Sequence, residues 1–289
     1  MNIDIIAQRD RLAKKFLSNV YVIAKVLRTC VPAFQTMSDD EIISCIGNST
    51  EDNKSNTVRG MNVEENSEEK SKIIYDLLFA INYPNSDKCF YLNIEMQKES
   101  MGREVLLYRG IYYVARLIAR QKNVEFMKDN YKAMREVYSV WILPFESKEY
   151  YEVYEMKAIK RYGEPPEYHK ISKMNLIHVG IGKMEPENNE LLRVLYILFK
   201  DDSNAKIKEE KLRKHGVYLT TKEVKDMEQV GSFMGIFDEH KTQVAREEER
   251  KRFTLLINAM IANGETDKIQ SVINDDTLMD IYFKKYNIQ

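Results

Sequence analysis

Asp76 interrupts an otherwise apolar run, Ile73-Ile-Tyr-Asp-Leu-Leu-Phe79, and Glu95 and Gln97 stand two residues apart in a second strand-like run, Lys88–Gln97. A carboxylate among such neighbours is costly to bury unless its charge is compensated. In the second run Phe90, Leu92, Ile94 and Met96 fall on one face of a strand, while Tyr91, Asn93, Glu95 and Gln97 fall on the other. The link between the runs, Asn82-Tyr-Pro-Asn-Ser-Asp87, is turn-forming in composition. A hairpin folded about Asn85–Ser86 would pair Asp76 with Glu95 by simple reflection, on one face and about 5 Å apart at Cβ. A slip of one residue would break that pairing. Two carboxylates so placed repel each other, and burial adds a desolvation cost. A hard divalent cation removes both costs, and Mg²⁺ bound through carboxylate oxygens keeps waters that can serve as nucleophile. The spacing by itself is equally satisfied by acids that simply face solvent.

The elements that must position these residues follow from periodicity. Ile6, Leu12, Phe16, Val20, Ile23 and Leu27 predict an amphipathic helix over 6–29, ended by Pro32. Ser38, three residues before Glu41, predicts a capping box that opens a short helix to about Ile46. Residues 47–72 are polar and predict an exposed connection. After the hairpin come a helix at 103–121, a strand over Val137–Phe145, an excursion with local helix at 146–170 and a strand over Ile171–Ile181. Helices are predicted near 188–200, 204–214, 220–230, 240–263 and 266–285. The division that results is an α/β core over 1–185 and a helical region over 186–289.

Four segments resemble the PD-(D/E)XK nuclease-family transposases, also called the Rpn family of recombination-promoting nucleases. They are Tyr75-Asp-Leu-Leu-Phe79, Leu92-Asn-Ile-Glu-Met-Gln97, Tyr108-Arg-Gly-Ile-Tyr-Tyr-Val-Ala-Arg116 leading to Gln121, and Val137-Tyr-Ser-Val-Trp-Ile142. The likeness covers most of 54–182 and continues more loosely through Lys211–Ser232. It implies a restriction-endonuclease-like core, a mixed sheet flanked by helices, with a helical C-terminal region. It further implies a Mg²⁺- or Mn²⁺-dependent DNA endonuclease linked to recombination or transposition of mobile DNA. Asp76 and Glu95 would be the metal ligands, and Gln97 would stand where the wider superfamily carries a catalytic lysine. A further acid often comes from the first helix, which makes Glu41 a candidate, with Glu64 or Glu65 as alternatives. A glutamine can position water by hydrogen bonds but brings no charge, so weakened catalysis is the expected consequence. On the following helix Arg109, Tyr112, Tyr113, Arg116 and Arg120 recur at helical spacing, a composition suited to phosphate contact and base stacking. Arg109, Tyr113 and Arg116 are the candidate nucleic-acid contacts, against the alternative of a solvated basic face with its tyrosines half buried against the core.

Bulk properties set outer limits. The chain has 289 residues, 31% of them charged, and a formal net charge of −1, which argues against a purely electrostatic nucleic-acid binder. The three cysteines, Cys30, Cys45 and Cys89, form no C-x-x-C pair, so neither a disulfide framework nor a structural zinc site is expected. The four histidines, His169, His178, His215 and His240, are dispersed. Val179-Gly-Ile-Gly-Lys183 lacks phosphate-loop spacing and reads as a strand-ending turn. No run approaches a membrane span and the N-terminus lacks a leader pattern, so a cytoplasmic protein is expected. The charged stretch Lys241–Arg252 predicts an exposed helix, with Phe253, Leu256 and Ile257 as candidate contacts of a homodimer. Two rival functions stand beside the nuclease: a nucleic-acid-binding protein on an inactive nuclease scaffold, and an interaction protein that works through its C-terminal helices.

Overall fold

In the computed structural model, the described residues are 2–46, 76–97, 101–156, 161–163, 173–230, 250–273 and 275–288. Two compact units divide the chain, Met1–Ile236 and Phe237–Gln289. The division falls after residue 236 rather than at 185/186, because the helices that follow the sheet pack on those that precede it.

The first unit is built on one five-stranded mixed sheet. Its strands are β1 (Leu77–Asn82), β2 (Cys89–Met96), β3 (Val137–Leu143), β4 (Tyr150–Glu155) and β5 (Met174–Gly180), in the spatial order β1-β2-β3-β5-β4. The three inner strands β2, β3 and β5 run parallel, and the two edge strands are antiparallel to their neighbours. β4 lies where the sequence predicted local helix. Its burial alternates residue by residue, as an edge strand with one covered face requires. The β1–β2 link turns at Asn85, which adopts a positive φ of 52° that asparagine tolerates well.

Helices cover both faces. On one, α4 (Arg103–Ala119) provides the crossover between parallel β2 and β3, and its Leu106, Val114 and Leu117 pack with Leu78, Tyr91, Trp141, Leu143 and Leu176. Gly110 allows a close approach: a Cβ there would lie 2.7 Å from the Leu176 side chain. On the other face the Phe34 ring meets Phe90, and the Tyr151 hydroxyl donates to the Thr29 carbonyl at the end of α2.

The predicted first helix is two helices, α1 (Asn2–Leu17) and α2 (Val20–Cys30). Asn19 breaks it. Its side chain accepts the Tyr21 amide as an N-cap and donates to the Tyr218 carbonyl (3.2 Å), so a buried polar group finds partners only if the helix stops there. The short α3 (Asp39–Ile46) opens on the predicted capping box, with the Ser38 amide donating to Glu41 at 2.7 Å. After the sheet come α5 (Glu190–Phe199), α6 (Ala205–Lys214) and α7 (Thr221–Val230). The Lys25 ammonium on α2 reaches Glu190 on α5 (3.6 Å), and Lys15 on α1 reaches Asp226 on α7 (2.7 Å).

In the second unit, helical residues 250–262 are followed by a 3-10 turn at Thr266–Lys268, α8 (Ile269–Ile273) and α9 (Asp276–Lys285), so the single helix predicted over 266–285 is broken. Leu256, Met260, Val272 and Phe283 form its core. Leu256, offered above as a dimer contact, is thus spent inside its own chain, and the Phe253 ring packs on Phe283. No described helix is long and apolar enough to cross a membrane.

Candidate metal centre

The register of β1 and β2 decides whether the two acids meet. Leu77 pairs with Ile94 and Asn82 with Cys89, and the same reflection carried one residue outward sets Asp76 opposite Glu95. Reciprocal hydrogen bonds close that end of the ladder. The Asp76 amide donates to Glu95 Oε1 (3.2 Å), and the Met96 amide donates to Asp76 Oδ2 (3.2 Å). Each carboxylate is therefore held by the main chain of the other's strand.

The polar face of β2 is not a solvent-facing row. Asn93, Glu95 and Gln97 are 0%, 3% and 5% exposed, because α4 lies over that face. A relay of hydrogen bonds satisfies the inner end: the Trp141 indole donates to Ser139 Oγ (2.9 Å), and Ser139 bonds the Asn93 amide (2.9 Å). With the Asn93 oxygen turned toward Ser139, its NH₂ donates to Glu95 Oε1 and to the Leu77 carbonyl. These bonds favour ionised Glu95, but loss of water and the adjacent Asp76 charge outweigh them, and the Glu95 pKa is pushed up to about 8.

Two cations flank the pair. Lys14, on α1, places Nζ 2.9 Å from Asp76 Oδ1 and 3.3 Å from Asp10 Oδ2. Burial opposes its charge, yet the two carboxylates prevail and its pKa is raised. Sequence reading missed both Lys14 and Asp10. Their i,i+4 spacing marked a helix-surface ion pair, and nothing in that local pattern points to Asp76. On the other side Arg109 reaches Gln97 Oε1 (3.3 Å) and lies over the rings of Tyr113 and Trp141.

The remaining predicted site residues are placed differently. Glu41 is committed to the α3 cap, where bonds from Ser38 to its carboxylate lower its pKa. Glu64 and Glu65 lie outside the described residues. Tyr113 is not a free stacking platform: its ring packs edge-on against Trp141 at 5.3 Å. Arg116 is half-buried on α4, whereas Tyr108, Ile111 and Tyr112 form its exposed face. Among the described residues no group of three or more His, Cys, Asp and Glu side chains comes together in a way that could hold a metal. The centre offers two carboxylates, a hard oxygen donor set, beside a carboxamide whose oxygen accepts from Arg109.

No family model, no curated protein and no solved structure matches the chain. What stands on geometry alone is an α/β protein with a five-stranded mixed sheet, flanked by helices, that carries two opposed acids at the start of its hairpin, Glu95 buried and Asp76 half-buried.

Proposed function

We propose that this protein is a Mg²⁺- or Mn²⁺-dependent phosphodiester hydrolase acting on DNA, in keeping with its sequence resemblance to nucleases of mobile DNA. The observation that carries the reading is the juxtaposition of Asp76 and Glu95, each locked to the other's strand at 3.2 Å and Glu95 almost wholly buried. A carboxylate kept in apolar surroundings beside a like charge stores a cost that a divalent cation relieves. Mg²⁺ is commonly bound through only one or two carboxylates with waters completing its shell, so this donor set fits it.

Asp76 and Glu95 would hold the ion, which supplies Lewis-acid stabilisation of a phosphoryl group and a bound water of lowered pKa. Glu95 must lose its proton to act as a ligand, so cation affinity rises with pH through the range of its raised pKa. Gln97, two residues along and on the same face, has a hydrogen-bond donor to offer the attacking water or a phosphate oxygen. Lys14 neutralises Asp76 in the absence of the ion, and that pairing loosens when a cation binds.

Plasmid nicking with Mg²⁺ or Mn²⁺ tests the reading, with Asp76→Ala and Glu95→Ala as controls. Cleavage by the parent protein that both substitutions abolish supports it, and equal activity in all three sinks it. A second reading, a nucleic-acid-binding protein without catalysis, is favoured by one observation: Asp76 already has a cation in Lys14. DNA binding indifferent to divalent ions, with no cleavage, would select it.

A further inference from the structure

Arg109 and Gln97 sit on different elements, and among the described residues their contact settles which way the glutamine points. Arg109 Nη1 lies 3.3 Å from Gln97 Oε1, and Nη2 lies 3.3 Å from the Tyr113 hydroxyl. The guanidinium carbon is 5.3 Å from the Tyr113 ring centroid and 5.6 Å from that of Trp141, so two aromatic faces hold the planar group. A guanidinium has five donors and no acceptor. The carboxamide facing it must therefore present its oxygen, and the NH₂ end is turned away from Arg109. Gln97 is 5% exposed, too enclosed to reorient through solvent.

We propose that Arg109 is a positioning residue for Gln97. It holds the amide oxygen, aims the amide NH₂ at the reacting oxygen over the Asp76–Glu95 pair, and supplies beside that pair the positive charge that glutamine lacks. This rests on the hydrolase reading of the site. It reassigns Arg109 from a contact of the DNA backbone to a partner of the catalytic machinery. Lysine is a poor substitute, because a compact ammonium cannot span Gln97 and Tyr113 with a rigid fork. Gly110 belongs to the same arrangement: the missing Cβ lets α4 settle against Leu176, one residue from the Arg109 backbone.

The test compares the parent protein with Arg109→Met, Arg109→Lys and Gln97→Leu, using metal-dependent DNA cleavage and the side-chain amide ¹H–¹⁵N resonances of Gln97. Those resonances are assigned by their loss in Gln97→Leu. Loss of an outer-shell partner typically costs about 10- to 100-fold in activity, and for Arg109→Met that loss is expected in kcat with KM for DNA little changed. Arg109→Lys should recover part of kcat, and the Arg109→Met/Gln97→Leu double variant should be no worse than the poorer single variant. The Gln97 amide signals should move to solvent-like positions in Arg109→Met. A raised KM with kcat kept would return Arg109 to the DNA interface and overturn the proposal, as would Gln97 amide signals unmoved in Arg109→Met. If the parent protein cuts no DNA with either ion, the hydrolase reading fails, and the amide resonances still decide the Arg109–Gln97 contact. Should Arg109→Met not fold, Arg109→Lys gives the same two readouts.

Discussion

Replacing Glu95 with glutamine isolates the cost that the site carries without metal. In the folded protein Glu95 has its pKa raised from 4.5 to about 8, chiefly because burial strips water from the ionised carboxyl and secondly because Asp76 repels it. The folded state therefore binds this proton more tightly than the unfolded state. Glu95 is neutral in both states below about pH 4.5, and stability falls as pH rises from there toward about 8. The loss approaches about 1.4 kcal/mol per pH unit, with a ceiling on the order of 5 kcal/mol once the full shift is traversed. Glutamine keeps the shape and the oxygen that accepts the Asp76 amide, but cannot ionise. In EDTA, Glu95→Gln should match the parent near pH 5 and exceed it by roughly 3 kcal/mol near pH 7.5, roughly 6–10 °C in Tm. Urea unfolding followed by Trp141 fluorescence is the natural assay. Trp141 is the sole tryptophan and is fully buried in β3, so the signal comes from the unit that contains the site. Added Mn²⁺ should then stabilise the parent and leave Glu95→Gln unmoved. A gap that stays flat between the two pH values would refute the claim that Glu95 is held against its charge.

Three other outcomes follow from the same structure. Lys14→Met removes the ammonium 2.9 Å from Asp76, so Mn²⁺ affinity measured by calorimetry should rise. About fivefold is the expected gain for a half-exposed competitor, and weaker binding would contradict the placement. Asn19→Ala removes both the α2 cap and the tie to Tyr218, at about 2 kcal/mol in urea unfolding; a loss under about 0.5 kcal/mol would mean the helix break is not held by that side chain. Native thiol labelling should spare buried Cys30 and Cys45 and modify half-buried Cys89 slowly, since burial pushes its pKa up. Rapid reaction of Cys30 would contradict the buried position of α2.

The sheet was legible because its signals are local. Alternation fixed the faces of β2, and reflection through Asn85–Ser86 gave the register that sets Asp76 against Glu95. The edge strand β4 was not legible. Tyrosine and valine favour strands while glutamate disfavours them, so Tyr150–Glu155 carries mixed signals, and it pairs with the edge that β5 offers. The break at Asn19 was missed for a related reason. Apolar spacing runs straight through it, and the partner that makes a cap worthwhile, the Tyr218 carbonyl, lies 199 residues away. Helical periodicity carries no mark of where one compact unit ends and the next begins, so the boundary at 236/237 was not legible.

The site divides along the same line. Two acids on neighbouring strands are a local pattern, but the charges that govern them arrive from α1 and α4, and nothing in periodicity tells which way a long cationic side chain turns. Arg109, Tyr113 and Arg116 illustrate how two readings stayed open. Their spacing marks one helix face, yet that face straddles the boundary between core and solvent, so Tyr113 packs on Trp141 and Arg109 bends inward to Gln97. The polar row of β2 makes the same point from the other side. Alternation said which residues share a face, and only α4 lying over them turns that face into a low-dielectric site where one proton on Glu95 and one ammonium on Asp76 matter. If Gln97 stands where the resemblance places a lysine, its side chain brings no charge of its own, and the nearest cation on that side is Arg109. Arg109 keeps its charge at any pH at which the protein is folded, and it reaches Gln97 rather than either carboxylate.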